Sequence, residues 1–328
     1  MRKGHVMSKL AFIFPGQGAQ KAGMGKDFYE NSETARSFFD QAQKILDFDL
    51  QEMCFGEHEE LNLTEYTQPC MVSVCLAIVQ ELKKRGINPD ITAGLSLGEY
   101  AAVAAAGGMN ELEYCALAAS GVMSAEDAIR TVRQRGILMQ EAVPVGEGAM
   151  AAILALDAAV IEEVTSDMDG VWIANYNCPG QIVITGLTNE VQQASLALKE
   201  AGAKRVVELK VSGPFHSLLL KPAGEALLKE MESMSFSTLQ VPYVANATAE
   251  IVTDSKKIST FFAKGIYSSV RWQQSIETML ENGVDTFVEI GPGKTLAGFM
   301  RKIAPKATVY NVSSFEDAIA LEKCLSKA

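Results

Sequence analysis

A short apolar run at 10–14, behind Lys9, halts at Pro15-Gly16-Gln17-Gly18. Such a run closed by Pro and Gly predicts a buried strand over 9–14 with a tight turn after it. Apolar positions recurring at helical spacing predict helices over 28–39 and 68–84. Pro89-Asp90 punctuates before 91–93, which reads as a second buried strand running through a Gly-bearing turn into a helix that ends at 106. Towards the other end, 286–290 reads as a strand entering Gly291-Pro292-Gly293, with a basic helix behind it. Strands alternating with helices predict an α/β fold whose largely parallel sheet is covered on both faces.

The middle of the chain has another rhythm. Strand patterns at 149–156, 171–176, 181–185 and 205–211 interleave with helical patterns at 158–168 and 190–201. That order, βαββαβ, is the split arrangement of ferredoxin-like units. The expected organisation is a small subdomain at 147–211 inserted into a discontinuous, α/β-hydrolase-like large domain, 1–146 and 212–328, with a cleft between the two. One repeat is visible. Glu99-Tyr100-Ala101-Ala102-Val103-Ala104-Ala105 returns 14 residues later as Glu113-Tyr114-Cys115-Ala116-Leu117-Ala118-Ala119, and Gly107 and Met109 return as Gly121 and Met123. Fourteen residues make close to four helical turns, so both copies would present similar faces, whether from duplication or from chance likeness of two Ala-rich helices.

Length and composition narrow the options. The 328 residues suffice for one large domain or two ordinary ones, and 48% hydrophobic with 21% charged residues is a globular balance. Twenty-nine basic residues against 40 acidic ones leave a net charge of −11, which excludes a general nucleic-acid or membrane-surface binder but not a local basic patch. Six cysteines without a C-x-x-C pair, and three histidines, leave little for a zinc site; neither a metal nor another cofactor is expected. The same cysteine usage points to reduced thiols and the cytoplasm. No run approaches the ~20 apolar residues of a membrane span, and the apolar run at 10–14 is too short for a signal-peptide core.

Gly94-Leu95-Ser96-Leu97-Gly98 is the candidate for chemistry. It fits G-x-S-x-G in the strand–turn–helix context that a nucleophile elbow needs. A serine at its ordinary pKa requires a base. His5 lies in an N-terminal tail, and His58 sits among Glu57, Glu59 and Glu60; His216, in Gly213-Pro214-Phe215-His216-Ser217, remains by elimination.

Five ordered segments carry a specific likeness: Phe14–Gln20 (FPGQGAQ), the elbow with Glu99, Arg135-Gly136-Ile137-Leu138-Met139-Gln140, Gly213–Ser217, and Glu289-Ile290-Gly291-Pro292-Gly293-Lys294. From Lys9 onward the chain resembles the malonyl-CoA:acyl-carrier-protein transacylases and the related polyketide synthase acyltransferase domains. The resemblance implies that Ser96 takes the malonyl group from malonyl-CoA, with His216 as base, and passes it to the pantetheine thiol of acyl carrier protein. It further implies an oxyanion hole from the Gln17 and Leu97 N–H groups, a carboxylate clamp at Arg135, a malonyl-selective aromatic at Phe215, and a main-chain carbonyl at Gly265 that orients the base. A guanidinium suits the clamp because it grips a carboxylate with two parallel hydrogen bonds.

This chain departs from the family pattern at Leu95, commonly His, at Gly265, commonly Gln, and at Ser269, commonly Pro. It also carries two Glu-Tyr-x-Ala units between elbow and arginine instead of one, so 14 extra residues must be absorbed without moving Arg135 from Ser96. Carrier proteins of this system are acidic, and Lys294, Arg301, Lys302 and Lys306 are the expected docking patch. Two other readings stay open: a serine thioesterase or hydrolase, which would release free malonate, and an inactive carrier-protein-binding module.

Overall fold

The structure is a computed structural model that describes residues 9–106, 123–144, 146–209, 211, 213–234 and 236–326. The second copy of the repeat, at 113–119, and His5 lie outside the described residues. The strands are β1 (Lys9–Phe14), β2 (Ile91–Gly94), β3 (Gly148–Leu154), β4 (Val171–Cys178), β5 (Gln181–Leu187), β6 (Arg205–Glu208), β7 (Tyr243–Val244), β8 (Ile251–Val252), β9 (Val284–Ile290) and β10 (Thr308–Val312). In the first half the helices are α1 (Lys26–Asn31), α2 (Glu33–Gln43), α3 (Leu50–Phe55), α4 (Thr64–Lys84), α5 (Gly98–Ala106) and α6 (Ala125–Glu141). They continue as α7 (Ala158–Ser166), α8 (Thr188–Glu200), α9 (Lys221–Glu230), α10 (Ile258–Tyr267), α11 (Trp272–Glu281), α12 (Thr295–Ile303) and α13 (Phe315–Leu325).

Two sheets result. The larger runs β10-β9-β1-β2-β7-β8, parallel throughout except at the β7–β8 edge. β1 lies at its centre because KLAFIF is buried on both faces: Phe12 and Phe14 enter one apolar cluster, Ala11 and Ile13 the other. Alternate side chains of a strand point to opposite faces, so a doubly covered strand must be apolar at every position. The smaller sheet, β4-β5-β3-β6, is antiparallel, with α7 and α8 packed beside it. Its strand order is ferredoxin-like, as the sequence rhythm predicts.

Several expected elements come out differently. The helix expected over 28–39 is two, α1 and α2, because Ser32 adopts an extended conformation and caps α2. Its hydroxyl accepts from the Ala35 N–H (3.0 Å) and donates to Glu81 Oε2 (2.6 Å), holding the break against α4. The strand expected over 205–211 ends at Glu208, while the neighbouring pair extends to Cys178 and Leu187. α4 begins four residues earlier than expected and keeps Pro69 inside it. Proline at 69 deprives the carbonyl of Glu65 of its helical donor. Arg133 Nη1 supplies the replacement at 2.9 Å, so the defect in α4 becomes a tie to α6.

The two sheets are tied through residues 268–271. Val270 N–H donates to Ala174 O (2.7 Å), Tyr176 N–H donates to Val270 O (2.9 Å), and Ser269 Oγ donates to Ile173 O (2.5 Å). The register of β4 against β5 slips between Ile173 and Asn175, which frees the backbone of Ala174 for this contact. A proline at 269 has no hydroxyl for the third bond.

Candidate active site

Three turns at the carboxyl ends of adjacent parallel strands meet at one place, the usual location of sites in such sheets. β1 leads into Pro15–Gly18, β2 into the elbow, and β7 into Ala245-Asn246. In the elbow Ser96 has φ 51°, a left-handed conformation that side chains other than glycine seldom adopt. The flanking glycines are sterically required. A Cβ on Gly94 would overlap the backbone of Gly98, and one on Gly98 would overlap the carbonyl of Phe14. A Cβ on Gly16 would stand 2.6 Å from Leu95 O, so the turn bearing Gln17 packs directly on the elbow.

Ser96 Oγ lies 2.8 Å from His216 Nε2. The other ring nitrogen, Nδ1, lies 2.8 Å from the carbonyl oxygen of Gly265. A carbonyl only accepts, so Nδ1 carries the proton and Nε2 is the acceptor for the Ser96 hydroxyl. Gly265 stands in the last turn of α10, where carbonyls lack helical donors, and this leaves its oxygen free for the imidazole. The absent side chain at 265 therefore costs the contact nothing, because main chain makes it. His216 is itself buried at φ 62°. Burial, and next the positive charge of Arg135, lower its pKa to about 3, against the carbonyls of Gly265 and Ser268. The ring is a neutral acceptor across the physiological range.

Arg135 reaches the same oxygen. From α6 its Nη2 donates to Ser96 Oγ at 3.2 Å. The side chain is 2% exposed, its guanidinium lies 5.4 Å from the centre of the Tyr100 ring, and Nε has no hydrogen-bond partner among the described residues. Tyr100 is stacked at 3.9 Å on Phe262 of α10. Burial lowers the pKa of Arg135, while Tyr100 and Glu99 oppose that shift. Arg135 and Ser96 stay together despite the extra segment because Gly136 lets α6 close onto α4: a Cβ there would lie 2.7 Å from Glu65 Cα. The neighbouring Arg133 turns the other way, pairing with Asp47 and Glu65.

The remaining expected residues fall as follows. Leu97 is buried directly before α5, and Gln17 anchors its turn by donating Nε2 to Thr64 Oγ1 at 3.2 Å. Neither main-chain N–H of these two residues has a protein acceptor among the described residues. Phe215 is buried beside His216, and His58 pairs with Glu52 at 3.1 Å, away from the cluster. Lys294, Arg301, Lys302 and Lys306 are exposed on and around α12 and are not drawn into the cluster.

Sequence reasoning missed Asn246. Its Oδ1 accepts from Ser96 N–H and its Nδ2 donates to Gly94 O, both at 2.6 Å, and its own N–H donates to Glu99 Oε1 at 3.0 Å. β7 has only two residues, too few for a periodic signal, and nothing else marks Asn246 in the sequence. Glu99, recognised only as part of a motif, is fully buried at the base of the elbow. Burial pushes its carboxyl up to about 8, against the Asn246 N–H and the charge of Arg135.

The acyl transferase domain family matches residues 11–113 and 112–312, and the junction of the two stretches falls inside the repeat. The malonyl CoA-acyl carrier protein transacylase of Bacillus subtilis is 44% identical over 315 residues, covering 94% of this chain and 95% of that protein. Its Staphylococcus aureus counterpart (strain MSSA476) is 40% identical over 316 residues, covering 95% and 97%. Among solved structures, an acyl carrier protein S-malonyltransferase from Vibrio cholerae superposes with a TM-score of 0.89 at 37% identity, covering 96% of this chain and 100% of that one. A malonyl-transacylase solved with its holo type II polyketide acyl-carrier protein gives 0.90 at 36%, covering 97% and 100%. By its matched length, its full-length relatives and its fold, this chain belongs to the acyl transferase domain family, among the malonyl CoA-acyl carrier protein transacylases.

Proposed function

We propose that the protein transfers a malonyl group from malonyl-CoA to the pantetheine thiol of acyl carrier protein, through an ester on Ser96. The observation that carries this reading is the pair of contacts on one oxygen: His216 Nε2 at 2.8 Å and Arg135 Nη2 at 3.2 Å from Ser96 Oγ. A plain hydrolase has no use for a buried guanidinium beside its nucleophile. A transferase of a dicarboxylic acyl group does, since the guanidinium can hold the distal carboxylate and present the thioester carbon to Ser96.

In this mechanism His216 Nε2 takes the proton as Ser96 Oγ attacks the thioester carbonyl. The oxyanion is met by the N–H groups of Gln17 and Leu97, where removing one such donor typically costs ~10²–10³ in rate. Collapse expels the CoA thiolate, which takes the proton back from His216 and leaves malonyl-Ser96. The carrier's thiol then gives its proton to His216, attacks the ester and releases Ser96. Burial holds His216 down in the free enzyme and the Arg135 charge adds to it; a bound carboxylate neutralises that second contribution. The malonyl group thereby strengthens the base that acts on it. Phe215 is the proposed wall against an α-methyl, worth ~1–3 kcal/mol of selectivity.

For the carrier we propose docking on the α12 cations, Lys294, Arg301, Lys302 and Lys306. α12 packs against β4, and the charge of Lys302 acts on Cys178 at the end of that strand. The patch therefore borders the seam between the sheets. No described helix is long and apolar enough to cross a membrane. We place the reaction in the cytoplasm, where the free thiols would stay reduced.

The test is intact mass after mixing with malonyl-CoA in the absence of carrier. A malonyl increment is expected, absent in Ser96→Ala and severely slowed in His216→Ala. Normal labelling of Ser96→Ala overturns the mechanism, and steady release of free malonate would favour the hydrolase.

A further inference from the structure

We infer that Asn246 is a positioning residue that holds the nucleophile elbow in its left-handed conformation and keeps the Ser96 N–H out of the oxyanion hole. The inference rests on Ser96 being the nucleophile.

The register of the sheet puts Asn246 there. β2 and β7 run parallel with Thr92 opposite Tyr243 and Ala93 opposite Val244, so Asn246 leaves the edge of the sheet level with the first residues of the elbow. Its carboxamide then spans the turn on both sides of Leu95. Nδ2 donates to Gly94 O, the last residue of β2, and Oδ1 accepts from Ser96 N–H, each at 2.6 Å. The orientation of the amide is dictated by its partners, because Gly94 offers only an acceptor and Ser96 only a donor. Asn246 is itself gripped from two directions. Its N–H donates to Glu99 Oε1 at 3.0 Å, and its carbonyl accepts from Arg271 N–H at 2.9 Å. A residue that is 2% exposed and has four hydrogen bonds, two of them to the elbow, restrains Ser96 rather than merely filling space.

The consequence is chemical. A serine at φ 51° persists only where its surroundings over-determine it. Two adjacent N–H groups, of Ser96 and Leu97, stand at the start of α5. With the first committed to Asn246, the second alone is presented to a substrate oxygen, beside the turn that carries Gln17. Asn246 touches neither acyl group nor thiol, so its loss acts on kcat through the aim of Oγ and leaves KM for malonyl-CoA in place. A misplacement of about 1 Å typically costs on the order of 10²-fold in rate.

Asn246→Asp supplies a pH-dependent test. It is read per folded molecule, with the folded fraction taken from near-UV circular dichroism at each pH, because a buried carboxyl also costs stability as pH rises. An ionised carboxylate still accepts from Ser96 N–H but cannot donate to Gly94 O, whereas the protonated acid can do both. The titratable and charged groups around this position are Glu99, which accepts from its N–H, Arg271, whose main-chain N–H donates to its carbonyl, and next to these Tyr100 from α5, Arg135 from α6, Tyr243 from β7 and His216. All are shared with the unsubstituted protein, but a carboxyl at 246 couples to Glu99, so the ratio of the two proteins' rates is also taken in a Glu99→Gln background, where position 99 cannot titrate. That ratio should rise as pH falls from about 8 to about 5.5, by roughly the 10-fold that one regained buried hydrogen bond is worth. The direction is opposite to the loss expected from protonating a base. In stopped malonylation followed by intact mass, Asn246→Ala should reach full occupancy of Ser96 about 10²-fold more slowly. A lowered final occupancy with an unchanged rate, or an Asn246→Asp ratio that stays flat or falls in acid, would overturn the positioning role. Ser96→Ala in the same series separates the two ideas: if it still takes up malonyl, the reading of the reaction fails and not merely the inference about Asn246.

Discussion

Arg135 and Glu99 are the two buried side chains whose charge decides most about this site. Arg135 has one guanidinium donor on Ser96 Oγ and one, Nε, with no partner among the described residues, an arrangement suited to receiving a second carboxylate. Arg135→Ala should therefore lower kcat/KM for malonyl-CoA by ~10–10²-fold, the worth of hydrogen bonds to a charged group. Acetyl-CoA, which lacks the carboxylate, should be spared or used better. Equal losses for both thioesters, measured side by side, would make Arg135 structural. Glu99 makes a prediction about stability. Below pH about 4.5 its carboxyl is protonated in folded and unfolded chains alike, and between 4.5 and about 8 only the folded chain keeps the proton. Stability from this group is thus lost as pH rises through that interval. Glu99→Gln cannot ionise, so its unfolding free energy relative to the unsubstituted protein should gain up to ~1.4 kcal/mol per pH unit there. Urea unfolding at pH 5, 6, 7 and 8 measures the gap. A gap independent of pH would mean that Glu99 is already ionised in the fold.

The strand–elbow–helix unit is the element on which these side chains depend. β1 and α5 approach so closely at Phe14 and Gly98 that no side chain fits between them, and Gly94 and Gly98 meet backbone to backbone. Gly98→Ala must push α5 away from the sheet, since a carbonyl cannot yield as a flexible side chain can. Overpacking against backbone should cost about 3 kcal/mol or more. It should also tilt the helix that supports Leu97, so malonylation falls even in the fraction that stays folded. Thermal unfolding together with labelling of soluble protein checks both effects. A variant of unchanged melting temperature and unchanged labelling would show that the elbow has room that the geometry denies. The break between α1 and α2 follows similar logic, because one hydroxyl, that of Ser32, both caps a helix and satisfies buried Glu81.

Across the whole molecule, the net charge of −11 opposes the approach of an acidic carrier protein unless a local basic area faces it. The α12 cations lie next to the seam, where 268–271 joins the small sheet to the segment that holds Gly265. Arg301→Glu with Lys302→Glu should raise KM for the carrier, more strongly at low salt, where screening is weak. Self-malonylation from malonyl-CoA should be nearly untouched. Carrier kinetics that stay the same across ionic strength would put the docking surface elsewhere.

What the sequence determined by itself was everything that local physics or motif spacing encodes. Apolar runs closed by Pro and Gly gave β1, β2 and β9, alternation gave the βαββαβ rhythm, and cramped glycines marked Ser96. Elimination among three histidines left His216. Pairing and depth were decided only by the tertiary structure. β7 is two residues long and acquires its place solely by lying beside β2, so Asn246 was invisible until the strands were aligned. The depression of His216 and the elevation of Glu99 come from burial, a property of the packed whole that no local pattern carries. Arg135 shows the division most plainly: its motif pointed to a carboxylate, but 39 residues separate it from Ser96. Only the packing of α6 on α4, through Gly136, brings the two within 3.2 Å.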